Sequence, residues 1–183
     1  LITKNMNIKE GIEKRFSVRA FTDEVPSMDI IKEILITANS APSGGNIQPW
    51  KVYVLNEETK KALAEKTLHN FDNGVQEEIE YDIYPKPLSD EYKKRRYECG
   101  ADMYKALSIE KDDLDSRFKQ IRENYNFFGA PLGMIITIDR SFGNNGWGHV
   151  GMFLENLWLS AIHHGLGLCL QESWSIYPKT VKE

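Results

Sequence analysis

Arg15 and Arg19 stand four positions apart with Ser17 between them, so two guanidinium forks and a hydroxyl fall within five residues. Arginine presents a planar set of donors that matches a phosphate. Taken alone, the cluster reads as a surface salt-bridge patch before it reads as an anion grip. A second stretch with chemical content is APSGGNIQPW at 41–50. Pro42 removes a backbone donor, and Gly44 and Gly45 permit backbone angles and close approaches that a side chain would block. Such a loop can lie flat against a ligand. Asn46 and Gln48 each carry a donor and an acceptor, and either read the edge of a heterocyclic ring or tie the loop to itself.

Gly146, Gly148 and Gly151 spell G-x-G-x-x-G, with Glu172 about twenty residues on, as in a dinucleotide fingerprint. The six residues Arg140 to Asn145 intervene after Asp139, where that fingerprint needs a tight turn at the strand's end, and Trp147 is a bulky neighbour. The stretch SFGNNGWG therefore reads as a loop leading into a helix, and an NAD-binding Rossmann-type module at Gly146–Gly151 stays an alternative. His163 and His164 are adjacent, point in different directions, and read as helix-end residues. Asp112, Asp113 and Asp115 lack the glycine and spacing of a calcium loop and read as a solvated face. Cys99 and Cys169 lie 70 positions apart in no CxxC or zinc pattern, so neither a metal site nor a disulfide framework is implied. No Ser/His/Asp or Cys/His arrangement calls for a protein nucleophile, and no catalytic side chain is assigned.

The elements that must hold these groups follow from periodicity. Residues 7–14 read as a short helix. Ile30, Ile31, Ile34, Leu35 and Ala38 recur at helical spacing, after Pro26 and Ser27 and with Asp29 near the start, and predict a helix over 28–39 that stops by Pro42. Val52, Tyr53, Val54 and Leu55 predict a strand, and 57–69 a helix rich in Glu, Lys, Ala and Leu. The charged stretch 71–126, with Tyr81, Tyr84, Tyr92, Tyr97, Tyr104 and Tyr125, predicts a mostly helical excursion from a sheet. Its tyrosines either cover a site or, taken singly, pack the excursion onto a core. The apolar run at 130–139 predicts a strand buried on both faces and central to the sheet. Val150, Phe153, Leu154, Leu157, Ala161 and Ile162, widened by Met152, Trp158 and Leu159, predict a helix over 149–164 buried on most of its circumference. Gly165 and Gly167 end it, and Leu166–Leu170 suits a further short strand.

A chain of 183 residues without a Pro/Gly/Ser-rich linker predicts one domain. With 27 acidic against 23 basic residues the net charge is -4, which argues against a nucleic-acid partner. No apolar run resembles a signal peptide or reaches membrane length, so a cytoplasmic protein is expected. The sequence opens on Leu1 rather than methionine, which suggests a processed or incomplete chain.

RFSVRAF at 15–21, APSGGNIQPW at 41–50, FFGAP at 127–131 and GMFLENLWLSAIHHGLGLCLQESW at 151–174 together resemble the nitroreductase family of flavin-dependent oxidoreductases. The match spans nearly the whole chain, in order, and looks closest to the subgroup of nitrobenzoate reductases. The resemblance implies a homodimeric α+β fold, with a mainly antiparallel central sheet surrounded by helices and 71–126 as the variable lid. It implies FMN held at the subunit interface, NAD(P)H as reductant, and hydride passed through the flavin to nitroaromatic, quinone or related small aromatic acceptors in a ping-pong cycle. It carries Arg15, Phe16, Ser17 and Arg19 to the FMN phosphate and ribityl chain, turning the surface-patch reading into a binding site. Pro42, Ser43 and Gly44 become a wall supplied by the partner subunit, with Asn46 and Gln48 ordering that loop or meeting the flavin's polar edge. Leu170, Gln171, Glu172 and Ser173 pass the dimethylbenzene and N5 side. Family members continue past the equivalent of Tyr177 into a strand, further basic residues and an arm that embraces the partner, so an incomplete or short chain is expected here. A flavin-binding or sensor protein without turnover is the corresponding alternative.

Overall fold

Val150, Phe153, Leu157 and Ala161 recur every three or four residues and are all buried along one long helix, here named α6 (Gly143–His163). The computed structural model describes residues 7–183. Contacts divide these into two units, one containing residues up to 60 with 129–170, the other 61–128 with 171–183. In the first unit, α6 packs against α2 (Met28–Ala38), whose Ile34 and Ala38 join Ala41, Trp50, Phe153, Leu157 and Ala161 in one core cluster. Ser27 caps α2 by accepting a hydrogen bond from the Ile30 amide at 3.3 Å. The shorter α1 (Ile8–Lys14) opens on an Asn7–Glu10 capping box, and its Gly11 sits so near Leu159 of α6 that a Cβ would meet that side chain at 3.5 Å.

The sheet consists of β1 (Trp50–Leu55) and β2 (Gly133–Ile138), antiparallel, with Trp50 opposite Ile138 and Leu55 opposite Gly133. The Trp50 ring stacks on Phe153 with centroids 4.9 Å apart, tying the first residue of β1 to α6. Three expectations are corrected here. The run at 130–139 does contain a strand, but β2 pairs with β1 alone among the described residues and is half-buried over most of its length. A continuous apolar run does not distinguish burial inside a sheet from partial cover by a helix. Leu166–Leu170 forms no strand: Val18 N donates a single backbone bond to Leu168 O at 3.2 Å, and at Gly167 a Cβ would fall 2.9 Å from Val18 Cγ2. Two extended segments approach closely there without building a ladder. Finally, SFGNNGWG is no loop. Asp139 caps a 3₁₀ turn over Arg140–Phe142, and α6 starts at Gly143. Glycine's low helix propensity hides that start, yet Gly146 is required, because a Cβ there would collide with Ile138 Cδ1 and lie 2.9 Å from Phe142 Cβ.

The chain passes into the second unit within α3 (Glu57–Asp72), and the expected excursion is helical at α4 (Asp90–Ala106) and α5 (Leu114–Arg122), with no helix between residues 73 and 89. Asp113 of the acidic run caps α5 by accepting from the Ser116 amide at 3.0 Å. The unit's core is aromatic. Tyr125 meets Phe71 at 5.0 Å, Tyr177 at 5.3 Å and Trp174 at 5.8 Å, and burial beside the Tyr177 hydroxyl pushes its phenol up to about 12. Phe127 and Phe128 adopt left-handed angles, φ 51 and 52, although neither is glycine, and both are buried. Such backbone persists where packing over-determines it, and the Phe127 ring lies 4.4 Å from that of Trp174. Among the excursion tyrosines, Tyr84 seats the Arg96 guanidinium at 4.3 Å and Tyr104 that of Arg117 at 4.2 Å.

Glu77 holds α7 (Pro178–Lys182) by accepting from the Lys179 amide at 2.6 Å and the Thr180 amide at 3.2 Å. Burial alone would raise its carboxyl, but the bonds from Thr180 and the Lys179 amide, with the Lys179 charge, outweigh that and hold it below the ordinary 4.5. A depressed folded value means the stabilisation is full above pH 4.5 and is lost as pH falls through the folded value. Glu77→Gln should therefore cost about 1 kcal/mol at pH 7 in urea denaturation. The gap to the native chain should close in acid; a gap independent of pH would contradict the assignment.

Candidate functional site

The segment that follows α1 carries the paired arginines, and three contacts fix α1 and this segment together. Gly11 rests on Leu159, Val18 bonds to Leu168, and between them the Arg15 Cζ lies 4.2 Å from the centre of the Trp158 ring. Trp158 is buried, Arg15 and Ser17 are half-buried, and Phe16 and Arg19 are exposed. Arg15 pairs with no carboxylate among the described residues, and residues 1–6 contain none. Arg19 lies near Cys169, whose thiol is pushed up by burial and drawn back by the Arg19 charge. The structure thus brings Arg15, Ser17 and Arg19 beside the extended segment that ends at Leu170, both in the first unit.

The glycine loop is built separately. Ser43 Oγ accepts from the Gln48 amide at 2.9 Å, Gln48 Nε2 donates to Asn39 O at 3.1 Å, and Asn39 Oδ1 accepts the Trp50 indole N–H at 2.9 Å. Gln48 therefore orders the loop, one of its two open roles. The turn needs φ 60 at Gly45 and 53 at Asn46, values glycine and asparagine tolerate. Pro42, Gly44 and Asn46 stay exposed, and the Asn46 side chain bonds to no described residue. Beneath the loop lies His149 of α6: a Cβ on Gly44 would meet its ring at 3.5 Å, and its Nδ1 is buried without a hydrogen-bond partner among the described residues.

His149 and Trp158 are nine residues apart on one helix, which is about 13.5 Å along the axis and about half a turn around it. The arginine segment and the glycine loop of one chain thus rest on opposite faces of α6. Sequence reading placed both side chains only in or beside an apolar stripe, and their roles as supports appear only once the helix bounds are known.

In the second unit, Gln171 Nε2 donates to Asn124 O at 2.8 Å and Ser173 Oγ to Asn124 Oδ1 at 2.9 Å. Glu172 is exposed and, with Ser175, meets the half-buried Tyr81, whose phenol burial raises first and the Glu172 charge raises further. Asn124 was not a sequence candidate; an asparagine between Glu123 and Tyr125 gives no signal.

The dinucleotide alternative fares differently. Gly146, Gly148 and Gly151 all lie inside α6, so the amides of the latter two are engaged in helical bonds and no strand-end turn cradles a pyrophosphate. His163 closes α6, and His164, its cap residue, stands 3.7 Å from Glu33, as expected of helix-end residues. Among the described residues no group of His, Cys, Asp or Glu is placed to hold a metal, and no helix is long and apolar enough to cross a membrane.

The chain is 34% identical over 175 residues to a 4-nitrobenzoate reductase of Nocardioides sp. (strain LMS-CY), covering 94% of this chain and 71% of that one. It is 32% identical to a nitrobenzene nitroreductase of Ectopseudomonas oleovorans, covering 92% and 75%. The crystal structure of the FMN and NADPH-dependent nitroreductase NfnB from Sphigopyxis sp. strain HMH superposes with a TM-score of 0.91 at 36% identity, covering 97% and 80%. The family model described as Nitroreductase family matches residues 12–183, a span that takes in the arginine segment, the glycine loop and α6 alike, and the chain belongs to that family.

Proposed function

We propose that this protein is an FMN-dependent nitroreductase that takes electrons from NAD(P)H and delivers them to small nitroaromatic acceptors. The observation that carries the reading is the seat of Arg15: a guanidinium braced on a buried ring, with no carboxylate to neutralise it among the described residues, is matched to an anion. The FMN phosphate is that anion, and the Pro42–Gly44 wall, with Pro42 and Gly44 exposed and Ser43 half-buried, suits a flat ring that must approach backbone closely. When bound, FMN supplies the electron chemistry, reduced by NAD(P)H and reoxidised in alternation by a nitro compound, a quinone or a related acceptor.

The chain's own part is to bind and orient. Arg15, Ser17 and Arg19 hold the phosphate and ribityl chain, with Phe16 on the exposed side; Pro42, Ser43 and Gly44, backed by Gln48, form the wall, and Asn46 meets the ring's edge. Leu170, Gln171, Glu172 and Ser173 keep the role that the family resemblance gives them. Because the phosphate grip and the wall rest on opposite faces of α6, one ring is served by the grip of one copy and the wall of another, so the working form is a homodimer. Ile8 and Ile12 support this, since they stand one turn apart on α1 and are exposed apolar residues of the kind a second subunit covers. Two free thiols suit a reducing cytoplasm. The whole chain acts as one functional domain, with 71–126 as its variable lid.

An absorption spectrum tests this. Purified protein should show bound flavin, bleach under anaerobic NADPH or NADH, and regain colour on adding 4-nitrobenzoate. Protein that stays colourless after incubation with FMN contradicts the reading, and bound FMN that neither reductant bleaches would instead mark a flavin-binding protein without turnover.

A further inference from the structure

We infer that Trp158 is a positioning residue that presets Arg15 for a phosphate and thereby makes this site prefer FMN to riboflavin. The inference rests on the phosphate reading above. Trp158 is 7% exposed on α6, next to Leu157 and one turn from Ala161, both core residues. The Arg15 guanidinium lies over its ring at 4.2 Å. Indole is the strongest of the aromatic seats for a cation, and an arginine stacked by its face keeps its N–H fork free at the edge. Stacking and anion binding therefore do not compete. The two flanking anchors, Gly11 on Leu159 and the Val18–Leu168 bond, fix the backbone on either side of Arg15 but leave its long side chain unconstrained. Trp158 supplies that last constraint, so the arginine is ordered before the ligand arrives and less freedom is lost on binding. Riboflavin has no phosphate and gains nothing from the arrangement.

The test compares FMN and riboflavin binding to flavin-stripped full-length protein by quenching of flavin fluorescence. Trp158→Leu should weaken FMN by about 3- to 30-fold. It should leave riboflavin unchanged, with Trp158→Tyr and Trp158→Phe falling between Leu and the native residue. In an Arg15→Ala background, Trp158→Leu should have no further effect on FMN. Equal loss of both flavins, no loss of FMN, or additive effects of the two substitutions would overturn the inference. If Trp158→Leu does not fold, the Tyr and Phe variants carry the same comparison, and an equal drop in both flavins overturns it there too. Arg15→Ala that leaves FMN affinity intact overturns the phosphate reading and this inference together. Arg15→Ala that weakens FMN while Trp158→Leu does not overturns this inference alone.

Discussion

Replacing Arg15 and Arg19 together by alanine is expected to strip the protein of FMN while leaving it folded. In the proposed site each arginine would offer charge-assisted hydrogen bonds to the phosphate, about 1.5–3 kcal/mol apiece, so the pair would account for about 100-fold or more in affinity. Neither side chain belongs to the core: Arg15 is half-buried on the face of Trp158 and Arg19 is exposed, so the melting temperature of the apo-protein should shift little. Lysine at both positions should restore only part of the affinity, because an ammonium is a point charge without the planar fork. Equilibrium dialysis with FMN reads the effect, and unchanged retention would show that the phosphate is held elsewhere.

Phe153→Ala should have the largest effect on stability. Phe153 is 1% exposed, stacks on Trp50 at 4.9 Å, and sits in the cluster that joins α2, β1 and α6. Deleting a buried phenyl group costs about 3–5 kcal/mol through lost transfer energy and the cavity left behind. For a chain of this size that corresponds to a fall of about 6–20 °C in Tm. The loss should extend to FMN, since the same helix supports the glycine loop through His149 and the arginine segment through Trp158. A fall of less than 2 °C would mean that the core lies elsewhere; calorimetry of the apo-protein decides.

The sequence made some of this legible and hid the rest for identifiable reasons. α2 and the body of α6 were readable because apolar residues at three- and four-residue spacing have one physical solution in water, a buried helical face. Family membership was readable because four separate stretches matched in order, although none would have sufficed alone. The start of α6 was hidden by glycines whose propensity argues against a helix, while the close approach of Ile138 that demands Gly146 is a tertiary fact. The run Leu166–Leu170 looks like a strand, but its neighbour offers one backbone bond. Side-chain ties such as Gln48 to Asn39 and Gln171 to Asn124 join residues whose pairing no spacing rule encodes. The most consequential hidden feature is the half-turn offset between His149 and Trp158, which needs only helix geometry once the helix bounds are known.

That offset yields a direct test by complementation. One variant carries Arg15→Ala with Arg19→Ala; the other carries Gly44→Leu, which sets a branched side chain on the exposed loop, where a Cβ is already in contact with the His149 ring at 3.5 Å, and so keeps a flat ring from approaching the backbone. Each alone should retain no FMN. Co-expressed with two different affinity tags and purified through both, the mixed dimer places both defects in one site and none in the other, and should bind one flavin. A mixed dimer as colourless as its parents would contradict a site divided between two copies.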